Sequence, residues 1–99
     1  MQQREREIEA KLVTLVERYG GNCLKWVCPG WTGVPDRIAL LPGGGVLFIE
    51  TKRPKGGRFS RMQIWWERRL TSLGMDYWRV CNYDDLQDLD RYIAEYMRS

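Results

Sequence analysis

The chain is 99 residues long, 43% hydrophobic and 29% charged, a size and composition that fit one globular domain over residues 1–99 with a small core. A net charge of +3 excludes a bulk polycation, so any contact with nucleic acid rests on local clustering of the 16 Lys and Arg. Histidine is absent, which excludes Ser-His-Asp and Cys-His catalysis and His-ligated zinc and leaves a hydrolase only carboxylates, lysine and a metal.

Residues 3–19 carry apolar side chains at helical spacing. Ile8, Leu12, Leu15, Val16 and Tyr19 form the expected buried stripe, and Gly20-Gly21 ends the helix. Glu9 lies at the edge of that stripe, and its simplest reading is a solvated border residue. Residues 23–27 predict a short strand. The loop Pro29-Gly30-Trp31-Thr32-Gly33 follows, and its tryptophan suits stacking on a base or packing under the loop equally well.

Two apolar runs, 35–41 and 46–52, flank a Pro/Gly turn and predict a β-hairpin. Asp36 opens the first strand. Glu50 and Lys52 close the second and, two residues apart, leave the same face of it. Two carboxylates and an ammonium so placed can hold a hard divalent cation beside a phosphate, because Mg²⁺ takes one or two protein carboxylates and fills its shell with water and substrate oxygens. A strand-end salt bridge is the plainer account of Glu50 and Lys52, but it leaves Asp36 unexplained.

The next segment is basic and glycine-containing. Arg53, Lys55 and Arg58 are interrupted by no acid, which suits a phosphate-binding flap better than a mere solvated connector. Ser60-x-x-Gln63 is a capping box that opens a second helix, and Gly74 stops it. Its expected core stripe is Met62, Trp66, Leu70 and Leu73. Trp65 falls off the stripe beside Arg61, Arg68 and Arg69, a setting that suits a nucleic-acid surface or a subunit interface. Residues 75–81 predict a further strand. Tyr83-Asp84-Asp85 opens a last helix, acidic at its start, with Leu86, Leu89, Ile93 and Tyr96 inward. Cys23 and Cys81 fall in strands and are expected in the core. Three cysteines without a C-x-x-C pair, no membrane-length apolar run and a charged N-terminus lead to an expectation of reduced thiols in the cytoplasm of a bacterial or phage-infected cell.

Pro35-Asp36 followed by Glu50-Thr51-Lys52 resembles the core of the PD-(D/E)xK nucleases. The lead-in Gly33-Val34-Pro35-Asp36-Arg37 and the later Ser60-Arg61-Met62-Gln63 make the chain more similar to one branch, the virus-type replication-repair nuclease (VRR-NUC) domain, in its stand-alone form. The resemblance spans residues from about 5 to 80. It implies an α/β, restriction-endonuclease-like α-β-β-β-α-β core with a mixed sheet, to which the last helix is an addition. It also implies Mg²⁺ or Mn²⁺ at Asp36 and Glu50, aided by the carbonyl of Thr51, with Lys52 acting on the developing charge.

A glutamate on the first helix of archaeal-type junction resolvases is similar in position to Glu9, so the resemblance implies that Glu9 is a further metal ligand or supports one, with Glu5 as the fallback, and Gln63 resembles a glutamine that lines the site. The expected activity is structure-selective DNA cleavage, with four-way junctions as substrate for a homodimer and no small-molecule cofactor. A flap or fork nuclease, or a non-catalytic DNA-binding module of the same fold, is the alternative. A sequence-specific restriction enzyme is disfavoured, because no added segment is available for reading bases.

Overall fold

A computed structural model describes residues 5–52 and 57–99. In chain order the elements are α1 (Glu5–Arg18), β1 (Asn22–Lys25), β2 (Arg37–Leu40), β3 (Val46–Thr51), α2 (Arg61–Ser72), β4 (Asp76–Val80) and α3 (Tyr83–Arg98). Element order and type match the expectation. Boundaries move by a residue or two, as hydrogen-bond definitions of element ends do: Asp36 stands just before β2, and Lys52 just after β3.

The strands form one mixed sheet in the order β1-β2-β3-β4. β1 and β2 pair antiparallel, as do β2 and β3, with Ile38 opposite Phe48 and Leu40 opposite Val46. The β2–β3 hairpin closes through Leu41, whose N–H donates to Gly45 O at 2.8 Å, and its turn uses Gly43 and Gly44 at φ of 86° and 92°. β4 then joins β3 in parallel, with Glu50 opposite Arg79 and Thr51 opposite Val80. A parallel neighbour needs a crossover, and α2 supplies it.

Alternate side chains of β3 leave on opposite faces. One face carries Leu47 and Ile49, which join Ile8, Leu12 and Val16 of α1 and Leu89 and Ile93 of α3 in the hydrophobic core. The other face carries Phe48 and Glu50. Here α2 buries only Leu70. The core stripe expected on α2 is therefore corrected: Met62 is 39% and Leu73 53% exposed, and Trp66 is half-buried. Helical spacing of apolar residues marks a face, but it does not say that another element covers that face. A smaller correction concerns Cys81, which is half-buried at the β4–α3 junction, whereas Cys23 is in the core.

Candidate active site

The site lies where β2 starts and β3 ends. Asp36 Oδ1 accepts the Thr51 backbone N–H at 2.9 Å, and its Oδ2 accepts the Thr51 hydroxyl at 2.6 Å. The aspartate is thus tied to the neighbouring strand through both carboxylate oxygens. Antiparallel pairing explains the approach, since Arg37 stands opposite Ile49 and the next residue outward on each strand meets the other's end.

Glu50 faces the α2 side of the sheet and is 4% exposed. Gln63 Nε2 donates to its Oε2 at 3.0 Å, and Lys52 Nζ stands 3.6 Å from the same oxygen. Burial, and then the negative charge of Asp36, push the Glu50 carboxyl up to about 7, against the pull of Lys52. Two carboxylates thus stand near enough to perturb one another, and burial desolvates one of them.

Gln63 does two things at once. Its N–H donates to Ser60 Oγ at 3.1 Å and its Oε1 accepts the Ser60 N–H at 2.8 Å, completing the capping box. The remaining amide nitrogen is the group that reaches Glu50. One side chain therefore fixes the start of α2 and ties that start to the end of β3.

Glu9 comes to the other side of Thr51, whose Oγ1 lies 3.4 Å from Glu9 Oε1. It also sits 3.6 Å from Arg37 Nε. That nitrogen is buried and has no hydrogen-bond partner among the described residues, so the attraction between Glu9 and Arg37 is one of charge. Glu5 is exposed at the start of α1. Among the described residues no three carboxylates or thiols are gathered closely enough to hold a metal ion.

Three residues near the site were not singled out from sequence. Phe59 meets two cations, with the Arg79 guanidinium 3.9 Å and the Lys52 ammonium 5.7 Å from its ring centroid. Arg79 is held in turn by Glu67 of α2, its Nε donating to Oε2 at 2.9 Å. Tyr77 faces the same side, and burial together with the Glu50 and Glu67 charges raises its phenol well above the usual tyrosine range. The signal for Arg79 lay in the β3–β4 register, which sets it opposite Glu50, but parallel register is not legible before the fold is known.

Of the residues expected to meet nucleic acid, Arg58 and Arg61 are exposed at the entry to α2. Trp31 is 59% exposed and meets Trp66 edge to face, with ring centroids 5.7 Å apart. It therefore does not pack under its loop. Arg53 and Lys55 lie outside the described residues.

The donor set fits a hard divalent cation. Asp36 and Glu50 supply two carboxylate oxygen donors, and the raised Glu50 carboxyl marks the charge that a cation would neutralise. Lys52 adds a positive charge 3.6 Å from Glu50 Oε2.

No family model matches the chain. A protein of Acyrthosiphon pisum secondary endosymbiont phage 1, named "Putative nuclease p44", is 44% identical over 71 residues, covering 72% of this chain and 75% of that protein. The solved structure of a VRR_NUC domain superposes with a TM-score of 0.81 at 24% identity, covering 86% of this chain and 91% of that one.

Proposed function

Because the chain belongs to the VRR-NUC family, we infer that it is a metal-dependent nuclease that hydrolyses phosphodiester bonds of branched DNA. The observation that carries this reading is the arrangement at the strand ends: Asp36 tied to Thr51, and Glu50 buried between Gln63 and Lys52.

Asp36 and Glu50 would hold Mg²⁺ or Mn²⁺, with Thr51 and Glu9 close by. Bound there, the cation supplies positive charge for the scissile phosphate and acidity for an attacking water. Asp36 is preorganised for this by its two bonds to Thr51, so little side-chain freedom is lost on binding. The Gln63 amide fixes Glu50 Oε2 in the same way. Lys52, a compact charge held near Glu50 and the Phe59 ring, stabilises negative charge as it builds on the phosphate. Arg58 and Arg61, with Arg53 and Lys55, carry the sequence-independent attraction for the DNA backbone.

The substrate proposed is the four-way junction, cut by a homodimer in the cytoplasm of a bacterial or phage-infected cell. Resolution takes two cuts on symmetry-related strands, and a two-fold dimer brings two sites to a substrate of matching symmetry. The test is cleavage of duplex, flap and four-way junction DNA in Mg²⁺ or Mn²⁺ against EDTA, with light scattering at micromolar protein. Paired incision of the junction by a dimer is expected. Cleavage in EDTA would end the metal-dependent reading, and a strict monomer would move the preferred substrate to flaps.

A further inference from the structure

The α2 side of the molecule carries an aromatic surface that the chemistry above does not use. Trp31, Trp66 and Trp65 form a chain of edge-to-face contacts, with centroids 5.7 Å apart for the first pair and 5.0 Å for the second. The outer two indoles are open, Trp31 at 59% and Trp65 at 48% exposure, and Met62 beside them is 39% exposed.

This surface is built rather than loose. Trp66 Nε1 donates to Thr32 O at 3.0 Å, pinning the loop that leads to Asp36 onto α2. Gly33 completes the clamp. Its φ is +82°, and a Cβ there would fall 2.5 Å from the Met62 backbone, so only glycine lets the loop approach so closely. Trp66 also follows Gln63 by three residues, on the same side of the helix and within about one turn. Trp66 therefore stands about one turn along α2 from the residue whose amide holds Glu50.

Charge decides what such a surface would receive. Arg58, Arg61, Arg68 and Arg69 are exposed and make no ion pair among the described residues. The single carboxylate of α2, Glu67, is taken by Arg79, and the first turn of the helix has no acid. A second copy of the chain laid on this face would oppose arginine to arginine, a costly juxtaposition. A ligand with a flat, polarisable face and phosphates at its rim is matched on both counts.

We propose that Trp31 and Trp65, set on Trp66, form a stacking platform for an unpaired nucleobase of the DNA strand that enters the active site. The proposal rests on the nuclease reading and deepens it. The preferred substrate carries an unstacked base next to the scissile phosphate, in a single-stranded flap or at the opened crossover of a four-way junction, and not in continuous duplex.

The test measures binding in EDTA, so that no cleavage is needed. The wild type, Trp31→Ala, Trp65→Ala and the corresponding Phe variants are titrated with continuous duplex, flap duplex and four-way junction, and with a flap bearing abasic residues next to the branch. Stacking contributes about 1–3 kcal/mol per base, or roughly 5- to 150-fold in affinity. Each alanine variant is expected to lose affinity in that range for flap or junction, with the duplex unchanged within about twofold and phenylalanine restoring much of the loss. Which branched DNA suffers identifies where the base comes from.

The abasic flap should bind the wild type more weakly than the intact flap by a similar factor, a comparison within the wild-type protein that survives even if an alanine variant folds poorly. Equal losses on duplex and branched DNA, or indifference to the abasic residues, would overturn the platform. Conversion of a dimer to a monomer without selective loss would overturn it too, and would make the cluster a subunit interface. A wild type that discriminates among these DNAs but cuts none of them with any metal would sink the nuclease reading alone.

Discussion

The two faces of the sheet are finished in opposite ways. On one, α1 and α3 bury Ile8, Leu12, Leu15, Val16, Leu86, Leu89 and Ile93 against Leu47, Ile49 and Val80. On the other, α2 buries Leu70 alone, and around it stand Glu50, Lys52, Gln63, Phe59, Arg79 and the tryptophans. All three helices show apolar residues at the spacing of a buried face, yet only two use them to hold the fold. The third buries Leu70, half-buries Ile64 and Trp66, and leaves Met62 and Trp65 at the surface, where they can meet something else. In a domain this small, one face can carry most of the stability only if the other is relieved of it, and the relieved face has room for chemistry.

The largest effect expected from that division falls on activity. Lys52→Ala should slow cleavage about 10²–10³-fold, the cost of losing one preorganised stabiliser of transition-state charge. At about pH 5, where the Glu50 carboxyl is protonated and needs no partner, its stability should stay within about 0.5 kcal/mol of wild type, since the residue packs no core. Single-turnover cleavage and urea unfolding on the same preparations give both numbers. Near-normal turnover would remove Lys52 from the mechanism.

Next in size is the difference between the faces themselves. Ile93→Ala, at a fully buried position of α3, should cost about 2–5 kcal/mol. Leu73→Ala, at 53% exposure just past the end of α2, should cost no more than about 0.5 kcal/mol. Urea unfolding midpoints at a common slope make the comparison, and similar losses at the two positions would break it.

The third prediction concerns charge stored on the α2 face. The Glu50 carboxyl is raised to about 7 from an ordinary 4.5. The folded chain therefore holds this proton more tightly than the unfolded chain does. Its contribution to stability is fully present below about 4.5 and is lost as pH rises through 7. Glu50→Gln carries no such proton, so the metal-free variant should melt above the wild type at pH 8, by an amount on the order of 2–3 kcal/mol. At pH 4 the two should melt together. Mn²⁺ should reverse the order at pH 8, because the cation stabilises the protein that binds it more tightly. A variant less stable than wild type at pH 8 in EDTA would show that Glu50 is not strained by its surroundings.

The same division explains what could be read from sequence. The hairpin was legible because Pro42 to Gly45 interrupts two apolar runs, and with it the meeting of Asp36 with the end of β3. The capping box was legible because it is local, three residues wide. What escaped depends on elements far apart in the chain. Arg37 and Glu9 meet across α1 and β2, and Glu67, Arg79 and Phe59 meet only once β4 has paired with β3. The exposure of α2 escaped for a different reason: periodicity reports which residues share a face, and only the packed fold reports whether that face is covered.

The smallest effect tests the joint between the two functions of Gln63. If this residue serves only as a helix cap, glutamate should replace it without loss, because Oε1 alone receives the Ser60 N–H and either side chain offers that oxygen. A negative charge there would even complement a helix start that has no acid of its own. The Glu50 contact reverses the expectation for activity, since glutamate would set a third carboxylate where an amide now donates at 3.0 Å. Gln63→Glu should therefore stay within about 1 kcal/mol of wild type in stability near pH 4, where the Glu50 carboxyl is protonated, and lose more at pH 8, where two carboxylates face each other. It should cleave roughly tenfold more slowly, as expected when a hydrogen bond to a charged group is lost. Gln63→Ala loses cap and contact together and should be impaired in both measurements. Unfolding curves paired with single-turnover rates separate the cases, and a glutamate variant as active as wild type would reduce Gln63 to a cap.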